Sequence, residues 1–270
     1  CLSRGLGDVY KRQTFLLEKG NELGGLASLI SKIPAKNRLA DFPHYLMHRA
    51  EQLDNLYIFK NTEGTPENIR KFHPNIIVSS TGSAPLLPPI AGLKDRIDNE
   101  NYNIYSILGM INHINDFPKD LEGKKVVVVG GGAVGLDVVE FFADRNADIS
   151  IVEMMDQIGR DLDPVSKNDT KAMMKKHNVH QLTKTALLEV KDSSFLVTGD
   201  GEPYELPFEY GFVCLGMRAQ GQLYQNLTEE FSSEDVEIMN IGDSQRARRI
   251  IDGTQEGRNI LTILEQKGYL

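Results

Sequence analysis

The stretch VVVVGGGAVGLDVVEFF holds Gly130, Gly132 and Gly135 in the spacing G-x-G-x-x-G, between an apolar run and a helix-like run. Each glycine has a physical reason to be there. Gly130 permits a sharp turn, Gly132 has no Cβ and lets a pyrophosphate approach the backbone, and Gly135 lets helix and strand pack closely. Ala133 and Val134 fall at the helix start, whose unpaired N–H groups and partial positive charge suit an anion. Glu153 ends the following apolar run, DISIVE, close to the roughly 20-residue offset of a carboxylate that accepts from both ribose hydroxyls. That carboxylate repels a 2′-phosphate, and Met154 and Met155 follow it where a basic residue would suit one, so NAD(H) is favoured over NADP(H). The competing reading is a purely structural turn. The strand before, the helix after and the acid at the right offset weigh against it.

The elements that must position these residues are legible around them. Residues 126–129 are four β-branched residues in a row, as in a parallel strand covered on both faces. Val138, Val139, Phe142 and Ala143 recur at helical spacing. Asp163 followed by Pro164 reads as an N-cap with proline at the first helical position. Residues 180–214 alternate or run apolar around a turn at GDGE, which predicts a small antiparallel run and a return strand. Further strands are expected at TFLLE, LYIFKN, NIIVSS and VEIMN. Helices are expected over residues 35–53, where Pro43 marks a kink or boundary, and along the C-terminal RRIIDGTQEGRNILTILEQ.

A second, partial constellation lies outside this unit. Glu18 ends a strand as Glu153 does, and NELGG follows it, with Gly24 and Gly25. Thr81 and Gly82 follow another strand, and Gly242 and Asp243 a third, just before the last helix. Taken together, residues 14–270 resemble the C-terminal flavin and nicotinamide half of the NADH:flavin oxidoreductase family, the group of 2,4-dienoyl-CoA reductase, 2-enoate reductase and trimethylamine dehydrogenase. The pattern E-K-x-x-x-x-G-G matches residues 18–25. A-T-G-x-x-P-x-x-P-x-I-x-G matches residues 80–92, with Ser80 for alanine. G-D with a basic, E-G-containing helix matches Gly242-Asp243 through Glu256-Gly257.

The resemblance implies an α/β fold of two Rossmann-like, three-layer domains of the pyridine nucleotide-disulfide reductase type. The NAD domain (residues 107–214) is inserted into an FAD domain (residues 14–106 and 215–270) that lacks its first strand and glycine loop. It implies that Glu18 holds the FAD adenosine ribose, that Gly24 and Gly25 sit near its pyrophosphate, that Thr81 and Gly82 line the flavin, and that Asp243, after Gly242, binds the ribityl chain. It further implies hydride transfer from NADH to FAD in a parent enzyme that reduces an enoyl-type C=C bond, with FMN and a 4Fe-4S cluster confined to an upstream barrel domain. Two departures stand out: Leu26 replaces a frequent glutamine, and the FAD glycine loop is absent. Other readings stay open, namely a non-catalytic dinucleotide-binding scaffold and an electron-transfer subunit of the glutamate-synthase or ferredoxin-reductase type.

The totals set outer limits. The 270 residues carry a net charge of −8, which argues against nucleic-acid binding. No apolar run approaches the roughly 18 residues that span a bilayer. With no signal-peptide pattern either, the expected location is cytoplasmic. Only two cysteines, Cys1 and Cys214, are present, too few for an iron–sulfur cluster within this chain, and Cys214 reads as a small buried hydrophobe. His44 and His48 share a helical spacing without the further ligands that a metal needs, so no metal is expected. Asp8 to Gln13 match a translation of sequencing-adapter DNA and residues 3–7 fit the DNA just upstream, so residues 1–13 are expected to be an assembly scar and Gly5 and Gly7 not half of a phosphate loop.

Overall fold

The computed structural model of the chain describes residues 13–269. The scar reading therefore falls, apart from Gln13, outside the described residues. The chain forms two compact units. One comprises the described residues up to 31 with residues 36–84 and 218–269, and the other comprises residues 32–35 and 85–217.

The chain begins with β1 (Thr14–Leu17), α1 (Gly25–Ile30), a 3-10 stretch (Pro34–Ala40), α2 (Asp41–Ala50), β2 (Leu56–Phe59), α3 (Pro66–Arg70), β3 (Ile76–Ser79) and β4 (Ser83–Pro85). The second unit continues with α4 (Leu93–Arg96), β5 (Ile104–Tyr105), α5 (Ile107–Asn112), β6 (Lys125–Val129), α6 (Ala133–Ala143), β7 (Asp148–Val152), α7 (Pro164–Lys176) and β8 (His180–Leu182). It closes with β9 (Ala186–Val190), β10 (Ser194–Thr198), β11 (Tyr204–Pro207) and β12 (Tyr210–Val213). After β13 (Met217–Ala219) come α8 (Gln222–Glu230), β14 (Glu237–Asn240), a 3-10 turn (Gly242–Ser244) and α9 (Ile250–Gln266).

The second unit is built on a parallel sheet of order β5-β12-β6-β7-β8. Four consecutive valines put β6 at its centre, and all four are buried. Their side chains alternate between the two faces. Val127 and Val129 join Leu93, Leu187, Val190, Phe195 and Val213 in a core under the antiparallel run β11-β10-β9. On the α6 side, Val138, Val139 and Phe142 are buried. Phe142 sits 5.1 Å from Phe117 edge-on and 4.8 Å from Phe212, so the helix is fixed by aromatic packing. The register pairs Val129 with Val152, so β6 and β7 end side by side. The Gly130 N–H extends the ladder by donating to the Val152 carbonyl at 2.8 Å. This shared end brings the glycine turn next to Glu153.

The first unit holds two parallel pairs, β1 with β2 and β3 with β14. The residues of β1 and β14 are half-buried throughout, in contrast to the buried β6. Phe15, Phe59 and Phe72 pack beside the first pair, with Phe15 and Phe72 at 4.7 Å. Ile77, Leu227 and Phe231 form a small core beside the second.

Phe142→Ala is expected to destabilise the protein by about 3–5 kcal/mol, read as a lowered urea midpoint, because it removes a fully buried ring from close-packed neighbours. Met154→Ala, at a residue 68% exposed, is expected to change stability by no more than about 0.5 kcal/mol.

Candidate functional site

The turn between β6 and α6 is shaped by close approaches between main-chain atoms. Gly130 has φ +110°, and a Cβ there would lie 2.1 Å from the Cys214 carbonyl oxygen. A Cβ on Gly135 would lie 1.9 Å from the Gly130 carbonyl oxygen. Both positions therefore require glycine for the fold itself. Gly132 differs. Its φ of −79° and ψ of −178° are open to any residue. A Cβ there would meet only the Asp161 carboxylate, at ordinary contact distances of 3.6–4.0 Å. Neither backbone conformation nor internal packing calls for glycine at 132. The missing side chain leaves the main chain open from outside, which is the condition a diphosphate needs.

Helix α6 starts without a side-chain cap, with Gly132 at its N-cap. Among the described residues no acceptor is found for the N–H groups of Val134 and Gly135, so they stay available to an anion. The half-buried Glu153 turns its carboxylate to the mouth. Oε2 accepts from the Gly131 N–H at 2.7 Å, and Oε1 accepts from the Met155 N–H at 2.7 Å. The structure thus brings Gly130, Gly132, Ala133, Val134, Gly135 and Glu153 into one place, with an acid beside an uncapped helix start.

Sequence reasoning missed one member. The loop after Glu153 folds back over the turn, with the Gly159 N–H donating to the Gly131 carbonyl at 2.7 Å. This holds the Asp161 carboxylate above the start of α6, where Oδ2 accepts from the Ala133 N–H at 3.3 Å. Beyond it, Asp163 caps α7 through the Val165 and Ser166 N–H groups. The Ser166 hydroxyl and these amides hold the Asp163 carboxyl below the usual carboxylate range.

In the first unit the predicted residues fall into two groups. The Glu18 carboxylate accepts from the Gly20 N–H at 2.6 Å, near the left-handed Gly24 and Gly25 that open α1. The Thr81 hydroxyl donates to the Gln220 carbonyl at 2.6 Å, and the Gln220 N–H donates to the Gly82 carbonyl at 3.0 Å. Asp243 accepts from the Ser83 hydroxyl at 3.1 Å and from the Arg248 N–H at 3.0 Å. Gly242, at φ +65°, donates its N–H to Glu256 at 2.6 Å. Arg248, paired with Glu256, and then this N–H hold the Glu256 carboxyl below its usual range. Gln220 and Ser83 had no sequence signal of their own to single them out, whereas Glu256 belongs to the E-G pattern of the last helix. Among the described residues no hydrogen bond joins the Glu18 group to the Asp243 group. The described residues of this unit offer no strand–glycine–helix turn of the β6–α6 kind, so they do not supply the diphosphate cradle of an FAD.

Cys214 is buried at the end of β12. Burial first, and then the nearby Asp137 and Asp98, push its thiol up to about 12, so it stays neutral and inert. Among the described residues no cluster of His, Cys, Asp or Glu could hold a metal ion, and no helix is long and apolar enough to cross a membrane.

A parallel sheet whose central strand ends in a glycine turn, beside an acid at the end of the next strand, defines a dinucleotide-binding α/β fold of the Rossmann class. The chain belongs to the pyridine nucleotide-disulphide oxidoreductase family, whose model matches residues 46–239. This is a family of oxidoreductases that use FAD and NAD(H). The chain is 25% identical over 91% of its length to an NADH oxidase of Thermoanaerobacter brockii, and 26% identical over 90% to a metal reductase of Desulforamulus reducens. It spans 36% and 39% of those two proteins. Its fold matches a 2-naphthoyl-CoA reductase with a TM-score of 0.77 at 22% identity, covering 92% of this chain and 36% of the other. It matches a histamine dehydrogenase from Rhizobium sp. 4-9 with a TM-score of 0.76 at 15% identity, covering 94% and 39%.

The glycines separate fold from binding. Gly132→Ala is expected to melt with the unaltered protein yet lose dinucleotide binding, whereas Gly135→Ala is expected to lower the melting temperature by driving a methyl group into the Gly130 carbonyl. Thermal unfolding paired with calorimetric titration of NADH distinguishes the two.

Proposed function

We propose that residues 85–217 form the NADH-docking unit of a flavin-linked oxidoreductase. The observation that carries this reading is Gly132, a glycine that the fold does not need, at an uncapped helix start beside Glu153. On this reading the N–H groups of Val134 and Gly135, with the main chain at Gly132 and Ala133, hold the diphosphate. Glu153 accepts from the ribose hydroxyls while keeping Gly131 and Met155 in place. Gly130 and Gly135 keep strand and helix close enough for all of this. A nicotinamide held there would supply a hydride, and no acid or base of the chain is needed for that chemistry.

In the first unit, Glu18, Gly24 and Gly25 would serve the adenosine end of FAD, and Thr81, Gly82, Gly242 and Asp243 its ribityl and ring end. Because the chain spans only 36% and 39% of the NADH oxidase and metal reductase it resembles, the whole protein's activity is also a proposal. Reduction of an activated, enoyl-type C=C bond in a further domain, carrying FMN and a 4Fe-4S cluster, is supported by the family resemblance of the motifs. A cinnamate reductase of Clostridium sporogenes, 22% identical over 71% of the chain, points the same way.

Titration with NADH, NADPH and ADP-ribose tests the docking unit. NADH and ADP-ribose are expected to bind, and NADPH at least about tenfold more weakly, since its 2′-phosphate would face the Glu153 carboxylate. Equal affinity for NADH and NADPH would remove Glu153 from the ribose. Binding of ADP-ribose without NADH would favour a nucleotide scaffold over electron entry.

A further inference from the structure

Asp161 is a member of the site that gives the dinucleotide no contact, and its carboxylate is the nearest group to the bare position at Gly132. It lies 3.6–4.0 Å from where a Gly132 Cβ would be, and accepts from the Ala133 N–H at 3.3 Å. We propose that Asp161 is a resident competitor for the diphosphate: its negative charge holds the anion seat in the nucleotide-free protein and lowers the affinity for any dinucleotide that enters. The proposal rests on the docking function of residues 85–217.

Two observations and one general principle support it. First, the loop is clamped on either side of Asp161. Ile158 is buried and Gly159 is tied to Gly131, while Asp163 is fixed as the cap of α7. The carboxylate is therefore delivered to the helix start by the fold. Second, its bond there is weak. Charge-assisted N–H···O bonds usually measure about 2.7–2.9 Å, and this one is longer. Asp161 itself is exposed, so rotation of its side chain towards water opens the seat without unfolding the loop. Third, the helix end favours negative charge of either origin, and a carboxylate and a diphosphate at the same N–H groups repel one another. The incoming ligand must displace the resident charge, and that displacement weakens its net binding.

The test uses the full chain and its Asp161→Asn and Asp161→Ala variants, with NADH and ADP-ribose titrated by calorimetry and folding checked by thermal melts. Asparagine keeps the size and removes the charge. Both variants are expected to bind NADH and ADP-ribose about three- to tenfold more tightly at low salt. The gain is expected to shrink near 1 M salt, where the screening length falls to about 3 Å. A purely structural role for Asp161 would not produce that salt dependence. If the unaltered chain binds and the variants bind equally or more weakly, the proposal is overturned; weaker binding would mean that Asp161 contacts the nucleotide itself. If neither the chain nor its variants bind NADH or ADP-ribose, the docking function falls as well, and the proposal with it.

Discussion

The approach of Gly135 to the Gly130 carbonyl sets the distance between strand and helix, and the rest of the mouth depends on that distance. A methyl group at either position would collide with a main-chain oxygen, so the chain can only make this turn where both side chains are absent. With the contact made, α6 lies flat on the sheet and its aromatic face closes on Phe117 and Phe212. Its N-terminus then points past the end of β6. The register of β6 with β7 delivers Glu153 to the same spot. A local steric condition and a long-range strand pairing thus meet at one cluster of N–H groups.

That cluster is only partly satisfied by the protein itself. Glu153 takes the Gly131 and Met155 N–H groups with short bonds, and Asp161 leans on Ala133 with a long one. Val134 and Gly135 find no acceptor among the described residues. The gradient runs from firmly held donors at the strand end to free ones at the helix start. Such an end is matched to an anion from outside, since the fold stabilises the turn without exhausting its hydrogen-bonding capacity.

Much of this was legible in the amino-acid order. The valine run, the glycine spacing, the α6 periodicity and the Asp163-Pro164 start of α7 are local signals, and each element formed where it was read. The antiparallel β9–β11 run was likewise visible from its alternation and its GDGE turn. Other elements were not. Helix α8 has no side-chain cap to mark its start, although Leu223 and Leu227, four residues apart, pack on one small core. Strand β5 is two residues long and exists only through its pairing with β12. The stretch predicted as one helix over residues 35–53 is a 3-10 stretch that becomes α2 at Asp41, with Pro43 in the first turn, where a missing N–H costs nothing. Asp161 was invisible for a different reason. In sequence it is one more acid in a polar loop, and only the Gly159–Gly131 bond, 28 residues across the chain, carries it to the helix start.

The double engagement of Glu153 has an evolutionary corollary. In many dinucleotide folds a change of coenzyme begins at this acid, where a smaller or basic residue admits the extra phosphate. Here the same carboxylate also tethers two main-chain donors, one on the turn and one on the following loop. Its loss would loosen the architecture before any new selectivity was gained, leaving the buried Gly131 amide without its acceptor. A lineage carrying this arrangement is therefore held to its present nucleotide unless a compensating acceptor arises first.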